Sequence, residues 1–303
     1  MSVYLILLIV ILILTAVVYI IGAEIMCKNI SIPRYKTYEE TILRAQEEEN
    51  SYRDFDSFEK ESFTLPLRDG YEISGDIFPL NPRKVVIISH GHGDNTSTGI
   101  RFLQVFRDLG YTAVIYDLRG HGNNRRTPCT MGLNESKDLA ELIEFIRGRF
   151  PDAVIGLHGL SMGAATTAIT LGYHPNAAFA VCDCGYGSLK QLCMEILEAG
   201  YHLPSFLIGP VSIWNRLRFG YRLEDAAPVK ALAENEIPVC FIHGTGDDFV
   251  PCTHSKAMYE QNKGYKELHL IEGAAHAQAW ACDPEGYEKI VRDFLSHCPQ
   301  RKA

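Results

Sequence analysis

The sequence predicts an α/β domain with a mainly parallel, eight-stranded sheet, helices on both faces, and one membrane-spanning helix in front of it. Three observations carry this expectation. From about residue 61 onward, short apolar runs rich in β-formers alternate with longer helical patterns, the signature of a parallel sheet with helical crossovers. A serine flanked by glycines stands where one of those strands gives way to a helix. Residues 3–23 carry no charged side chain and are mostly Ile, Leu and Val.

At about 1.5 Å of rise per helical residue, a run such as 3–23 crosses a hydrocarbon core of about 30 Å. A cleaved signal peptide would open on a basic stretch and end on a small-x-small site. Here no Lys or Arg precedes the run, and Gly22-Ala23-Glu24 is a poor cleavage site. The segment therefore reads as an uncleaved, single-pass anchor in the cell membrane. Lys28, Arg34 and Lys36 follow it and no basic residue precedes it, which by the positive-inside rule places the following domain in the cytoplasm. Residues 24–60 read as a polar connector, and the Glu-rich stretch 38–50 has the composition of a helix.

Within 61–303, strands are expected at 63–67 and 71–78 around the turn Arg68-Asp69-Gly70, then at 85–89, 113–116, 154–157, 178–181, 239–242 and 267–271. The later runs are short and continuously apolar, as strands covered on both faces should be. Helices are expected at 99–109, 135–150, 162–171, 252–263 and 284–297. Residues 187–221 break the alternation. They hold two helix-like stretches around Pro204 with bulky apolar residues such as Leu203, Phe206 and Trp214, a candidate cap of 35-residue order. In open parallel sheets the ligand lies beyond the carboxyl ends of the strands, so the chemistry is sought in the loops that follow them.

The net charge of −8 offers no basic face for nucleic acid. Nine cysteines, an odd number, include Cys182 and Cys240 inside apolar runs. They read as small buried hydrophobes in a reducing compartment, not as a disulfide framework. Cys182-x-Cys184 with Cys193 lacks the second Cys/His pair that a zinc site needs, and no metal is expected.

The sharpest local signal is Gly159-Leu160-Ser161-Met162-Gly163, between a strand and a helix start. Such an elbow exposes the serine oxygen, and Gly159 and Gly163 leave room for the sharp turn. It also sets the serine at a helix N-terminus, where negative charge is favoured. A serine needs a base to become a nucleophile at neutral pH. In this kind of site the acid and then the histidine follow later in the chain. His276, just after the last strand, fits the base; Asp247 or its neighbour Asp248, after the strand ending at Ile242, fits the acid. Backbone amides must then meet the developing oxyanion, each worth on the order of 3 kcal/mol. Met162 and, through its amide, His92 in His90-Gly91-His92-Gly93 are the candidate donors. No third ligand supports His90 and His92 as a metal pair. Asp117-Leu118-Arg119-Gly120-His121-Gly122 reads as bracing for the loops.

Together these loops resemble the α/β-hydrolase superfamily over about residues 61–298, and within it the bacterial branch of serine aminopeptidase-like, monoacylglycerol lipase-like and acyl-ester hydrolases. The resemblance implies Ser161 as nucleophile, His276 as base, and the amides of His92 and Met162 as oxyanion hole, with no cofactor. The pattern His-Gly-x-x-Asp-x-x-Val-Pro, matched by residues 243–251, selects Asp247 as the acid. One departure stands in the His90 loop, where many relatives carry a bulky apolar residue in place of His92. Serine at the elbow, not Asp or Cys, separates the chain from dehalogenase and dienelactone-hydrolase relatives. The implied reaction is acyl transfer on a carboxylic ester or thioester of a small or lipid-like acyl substrate, with the rate expected to fall at low pH as His276 takes a proton. Two other readings stand beside it: a peptidase, with Glu195 or Glu198 meeting a peptide terminus, and a non-catalytic membrane-anchored binding protein of the same fold. The sequence leaves the oligomeric state open.

Overall fold

The computed structural model describes residues 3–34, 36–49 and 58–298. Residues 35 and 50–57 of the expected connector, and residues 299–303, lie outside the described residues. Eight strands form one sheet: β1 (Glu61–Pro66), β2 (Glu72–Phe78), β3 (Lys84–Ser89), β4 (Thr112–Tyr116), β5 (Val154–Leu160), β6 (Phe179–Asp183), β7 (Val239–Gly244) and β8 (Lys266–Ile271). Their spatial order is β1-β2-β4-β3-β5-β6-β7-β8. The hairpin β1–β2 joins β4 antiparallel, and the other pairings are parallel.

The helices are α1 (Val3–Ser31), α2 (Tyr38–Glu49), α3 (Ile100–Asp108), α4 (Leu133–Arg149), α5 (Met162–Leu171), α6 (Leu189–Tyr201), α7 (Ile208–Phe219), α8 (Pro228–Ala231), α9 (Thr253–Gln261), α10 (Ala279–Cys282) and α11 (Pro284–His297). The period of two along each strand divides the core. Val85, Ile87, Val114, Tyr116, Ile155 and Leu157 join α4 and α5 on one face. Val86, Ile88, Ala113, Ile115 and Val181 join α3 and α11 on the other. Successive side chains leave a strand on opposite sides, so continuous apolar runs are what a sheet covered twice requires. Every residue of α5 is buried; its small Ala, Gly and Thr side chains let it lie close against the sheet.

The apolar N-terminal run forms a helix that does not stop at residue 23. It continues through the polar residues to Ser31, because nothing in Glu24-Ile25-Met26-Cys27-Lys28 breaks a helix. The apolar part is long enough to cross a membrane, and its most apolar window has none of its residues buried in the domain. The part beyond it is packed. Ala23, Cys27 and Ser31, spaced i, i+4, i+8, are buried against α7. Thr37 and Glu40 then cap the start of α2 by reciprocal side-chain bonds to each other's amides, a box that satisfies two orphan donors. The segment 187–221 holds α6 and α7, joined through a short turn at Ser205–Leu207.

Candidate active site

Ser161 sits at φ 55°, ψ −113°, at the N-terminus of α5, a backbone conformation that costs an L-residue energy and persists only when the surroundings enforce it. Here the glycines do the enforcing. A Cβ on Gly159 would lie 2.3 Å from the Gly163 carbonyl oxygen, and one on Gly163 would lie 2.2 Å from that of Ser89. β5, β3 and α5 therefore meet at van der Waals contact with no side chain between them. The Ser161 amide donates to the Asp183 carbonyl at 2.8 Å, which fixes the turn to β6.

The structure brings Ser161, His276 and Asp247 into one chain of hydrogen bonds. Ser161 Oγ lies 2.9 Å from His276 Nε2, and His276 Nδ1 lies 2.7 Å from Asp247 Oδ2. Asp248, the neighbouring acid, is exposed; Asp247 is the one that meets the imidazole. Its second oxygen accepts the amides of Phe249 at 3.1 Å and Val250 at 2.8 Å. His243, to which the sequence reading assigned no role, adds a further donor: its Nε2 lies 3.2 Å from Asp247 Oδ2 and 2.7 Å from the Val250 carbonyl. Facing these two acceptors, Nε2 carries the proton, and Nδ1 meets the Ser255 hydroxyl at 2.7 Å. Burial would push the Asp247 carboxyl up, but the hydrogen bonds from His243 and His276, with the nearby amide, outweigh it and hold it well below the usual carboxylate range. A carboxylate held ionised in this way fixes the His276 ring with Nδ1 protonated and Nε2 facing Ser161 Oγ.

The loop after β3 lies against Ser161. A Cβ on Gly91 would sit 3.6 Å from Ser161 Cβ. Gly91 to Asp94 form a turn closed by the Asp94 amide on the Gly91 carbonyl at 3.3 Å, with Gly93 at φ 78°, a conformation for which glycine is the default. The His92 ring turns away from the serine and reaches the Ile30 carbonyl at 3.0 Å. His90 cannot offer a metal a lone pair. Its Nδ1 donates to the Gly91 carbonyl at 2.7 Å, and its Nε2 accepts the Leu118 amide at 2.9 Å. Met162 is the first residue of α5, so its amide has no helical partner.

The N-terminal segment braces this loop. Beyond Ile30, Lys36 pairs with Asp94 at 2.9 Å, Asn95 donates to Thr41 at 3.1 Å, and the Ser31 carbonyl accepts the Cys129 amide at 2.7 Å. The Asp117–Gly122 loop does the same from β4. Asp117 accepts the amides of Thr96 and Asn123, each at 2.8 Å. Arg119 forks onto Asp138 at 2.8 and 2.6 Å and pairs with Asp69 at 2.8 Å, with its guanidinium over the Tyr71 ring.

Two further residues lie at the site: Asp183, and Cys184, which the sequence offered only in a Cys182-x-Cys184 zinc pattern. Cys184 follows β6 with φ 45°, and its sulfur lies within 4.8 Å of ligand atoms of both Asp247 and His276. Three donors at that spacing could in principle hold a metal ion. Asp247 and His276 already engage each other, and burial pushes the Cys184 thiol well up, away from the thiolate that metals and electrophiles require. Cys182 and Cys240, expected as core residues, are fully buried, and all nine cysteines are free thiols.

Asp183, the last residue of β6, is fully buried. Burial pushes its carboxyl up to about 6, against the pull of Arg101. A folded-state value above the unfolded one favours the folded protein while the group is protonated; that advantage is lost as pH rises from the unfolded value through about 6. Asp183→Asn is expected to raise Tm relative to wild type, by a margin that grows between about pH 4 and pH 6 and is constant above. Thermal unfolding of both proteins across that range checks it; a pH-independent difference would count against the buried neutral acid.

A parallel sheet with this strand order, carrying a serine on a strained elbow at the end of β5, defines an α/β-hydrolase. Comparison with known proteins places the chain within that class. The family model for serine aminopeptidase, S33, matches residues 80–192. The chain is 33% identical over 270 residues to the uncharacterized protein YqkD of Bacillus subtilis, covering 86% of this chain and 88% of that one. It is also 25% identical over 242 residues to the uncharacterized membrane protein YNL320W of Saccharomyces cerevisiae, covering 78% and 79%. The chain thus belongs to the α/β-hydrolase superfamily, in the family it shares with YqkD. Among solved structures, the Pyrococcus furiosus esterase Pf2001 superposes with a TM-score of 0.67 at 22% identity, covering 81% of this chain and 94% of its own. A serine hydrolase without lid from Xanthomonas campestris superposes with a TM-score of 0.55 at 14% identity, covering 80% and 97%. At those identities the likeness is one of fold.

Proposed function

We propose that the chain is a membrane-anchored serine hydrolase that cleaves carboxylic esters or thioesters through an acyl-enzyme. The observation that carries the proposal is the continuous hydrogen-bonded chain from Ser161 through His276 to Asp247. In it a nucleophile, a base and an orienting acid stand in the order that acyl transfer needs. Ser161 Oγ attacks the substrate carbonyl while His276 Nε2 takes its proton, and the Asp247 carboxylate stabilises the imidazolium. The amides of Met162 and His92 receive the negative charge that develops on the carbonyl oxygen. His276 then gives its proton to the leaving group, and water cleaves the acyl-enzyme by the same route. No step calls for a cofactor.

α1 anchors the enzyme in the cell membrane, and the positive charge that follows it puts the domain on the cytoplasmic side. A small-molecule or lipid-like acyl substrate suits this placement. The fold likeness to an esterase supports ester cleavage. The family description as serine aminopeptidase favours the second reading, but the acids that would hold a peptide terminus have other partners. Glu195 lies 3.0 Å from His254 Nε2, and Glu198 accepts the Ser205 amide at 3.2 Å. The full-length enzyme in lipid nanodiscs, assayed on p-nitrophenyl esters, acyl thioesters and aminoacyl amides, decides between them. Esters or thioesters are expected to be cleaved with a burst of leaving group. Preferential cleavage of aminoacyl amides would replace the proposal with the peptidase reading.

A further inference from the structure

The cap is built against the membrane helix, and one contact fixes its depth. Tyr19 Oη donates to the Leu207 carbonyl at 2.7 Å. Tyr19 lies four residues before the end of the uncharged run 3–23, about 6 Å deeper along a helix of about 1.5 Å rise. Helical side chains lean toward the N-terminus, so the Tyr19 hydroxyl, and the Leu207 carbonyl with it, lie at least that deep. Further along, Glu24 at the edge of the apolar run receives both forks of Arg218 at 3.0 Å and the Trp214 indole at 2.9 Å. Ser31 meets Asn215 at 3.3 Å and Tyr221 at 2.9 Å. α1 and α7 therefore run side by side in the same direction. The turn before α7 points along the apolar part of α1, and the charged pairs lie toward the domain.

Large apolar side chains at that end are uncovered, with exposed His202 among them and Glu198 accepting the Ser205 amide at 3.2 Å. Tyr201, Leu203 and Phe206 are 68%, 46% and 74% exposed, beside Pro204. Three bulky exposed side chains on one turn are unusual on a surface that meets water.

We propose that the turn between α6 and α7, led by Leu203 and Phe206, is inserted into the same bilayer leaflet as the C-terminal half of the α1 span. The cap is then an interfacial membrane element continuous with the anchor. Its occupant is the acyl-chain region of the lipid, because the Tyr19–Leu207 contact sets this turn beside a segment that itself requires hydrocarbon. Trp214, whose indole bonds Glu24, takes the headgroup level where aromatic rings with a polar handle collect, and the pairing with Arg218 offsets the charge of Glu24 at that edge. On this arrangement the cap receives amphiphiles from the leaflet, not from bulk water. The inference rests on the reading of α1 as a membrane anchor and is independent of the chemistry proposed for Ser161.

The test places a tryptophan at the tip of the full-length protein, reconstituted in phosphatidylcholine–phosphatidylglycerol vesicles with or without bromine on the acyl chains. Phe206→Trp reads the tip. Leu80→Trp, on an exposed residue before β3 at the opposite end of the parallel strands, is the control, and wild type supplies the background of Trp214 and Trp280. The emission added by Phe206→Trp is expected to be blue-shifted and quenched by the brominated chains, while that added by Leu80→Trp is not. Unquenched emission from Phe206→Trp in protein that resists alkaline carbonate extraction would overturn the cap proposal and leave the anchor standing. A blue shift that depends on protein concentration and not on bromine would overturn it in favour of a second copy of the chain. Release of the wild type by carbonate would overturn the anchor and the cap proposal together.

Discussion

Ser161→Ala is expected to lower kcat for ester hydrolysis by about a million-fold, with KM little changed. The magnitude follows from the loss of the acyl-enzyme route altogether. The residual rate, on the order of a thousand-fold above water, would come from substrate positioning and the oxyanion amides. The substitution removes one oxygen at a position where the backbone is held by Gly159, Gly163 and the Asp183 carbonyl, so the fold should survive it. Kinetics on the wild type and the variant, with circular dichroism to show that both are folded, check the expectation. A loss of less than about ten-fold would show that another group performs the attack.

Asp247→Asn is expected to lower kcat by about ten-thousand-fold, while Asp248→Asn leaves it within about two-fold. The contrast is the informative part, because the two residues are adjacent and only one touches His276. Asp247 Oδ2 accepts from His276 Nδ1 and from His243 Nε2. An asparagine presenting its NH2 group there would oppose both donors and turn His276 toward the wrong tautomer. An asparagine presenting its oxygen there would set its NH2 group against the amides of Phe249 and Val250. Either orientation loses hydrogen bonds that the carboxylate makes, so the variant should also melt at a lower temperature than Asp248→Asn. Equal effects of the two substitutions would remove Asp247 from its assigned role.

The parts of this molecule that were legible in the sequence are those governed by local period and turn chemistry. Strands buried on both faces read as unbroken apolar runs, such as residues 85–89, and each was met by a strand within a few residues of its expected ends. The elbow was legible because only glycine fits at 159 and 163. Chain order and loop placement led to His276 and Asp247, which the fold then brings together across 115 and 29 residues of sequence.

What stayed hidden depends on contacts between distant segments. His243 lies in the same pattern that pointed to Asp247, but its ring reaches the carboxylate only because residues 244–250 turn back on it. Cys184 drew notice only as part of a rejected zinc pattern; its place beside His276 follows from a left-handed φ that no neighbouring residue announces. The polar stretch after residue 23 hides a stripe of small residues, Ala23, Cys27 and Ser31, that packs on α7. The stripe has helical spacing and was readable, but its partner was not. Cutting the chain at residue 24 would sever Tyr19 from Leu207, so experiments on the turn between α6 and α7 belong on the full chain.

The most direct measurement treats the full-length protein in nanodiscs with a fluorophosphonate, followed by mass spectrometry of the modified peptide. A serine activated by His276 and Asp247 is predicted to carry the phosphonyl group on Ser161, with no labelling in Ser161→Ala. A folded wild-type protein that remains unlabelled, or carries the label at another residue, would contradict the assignment of this elbow as the seat of acyl transfer.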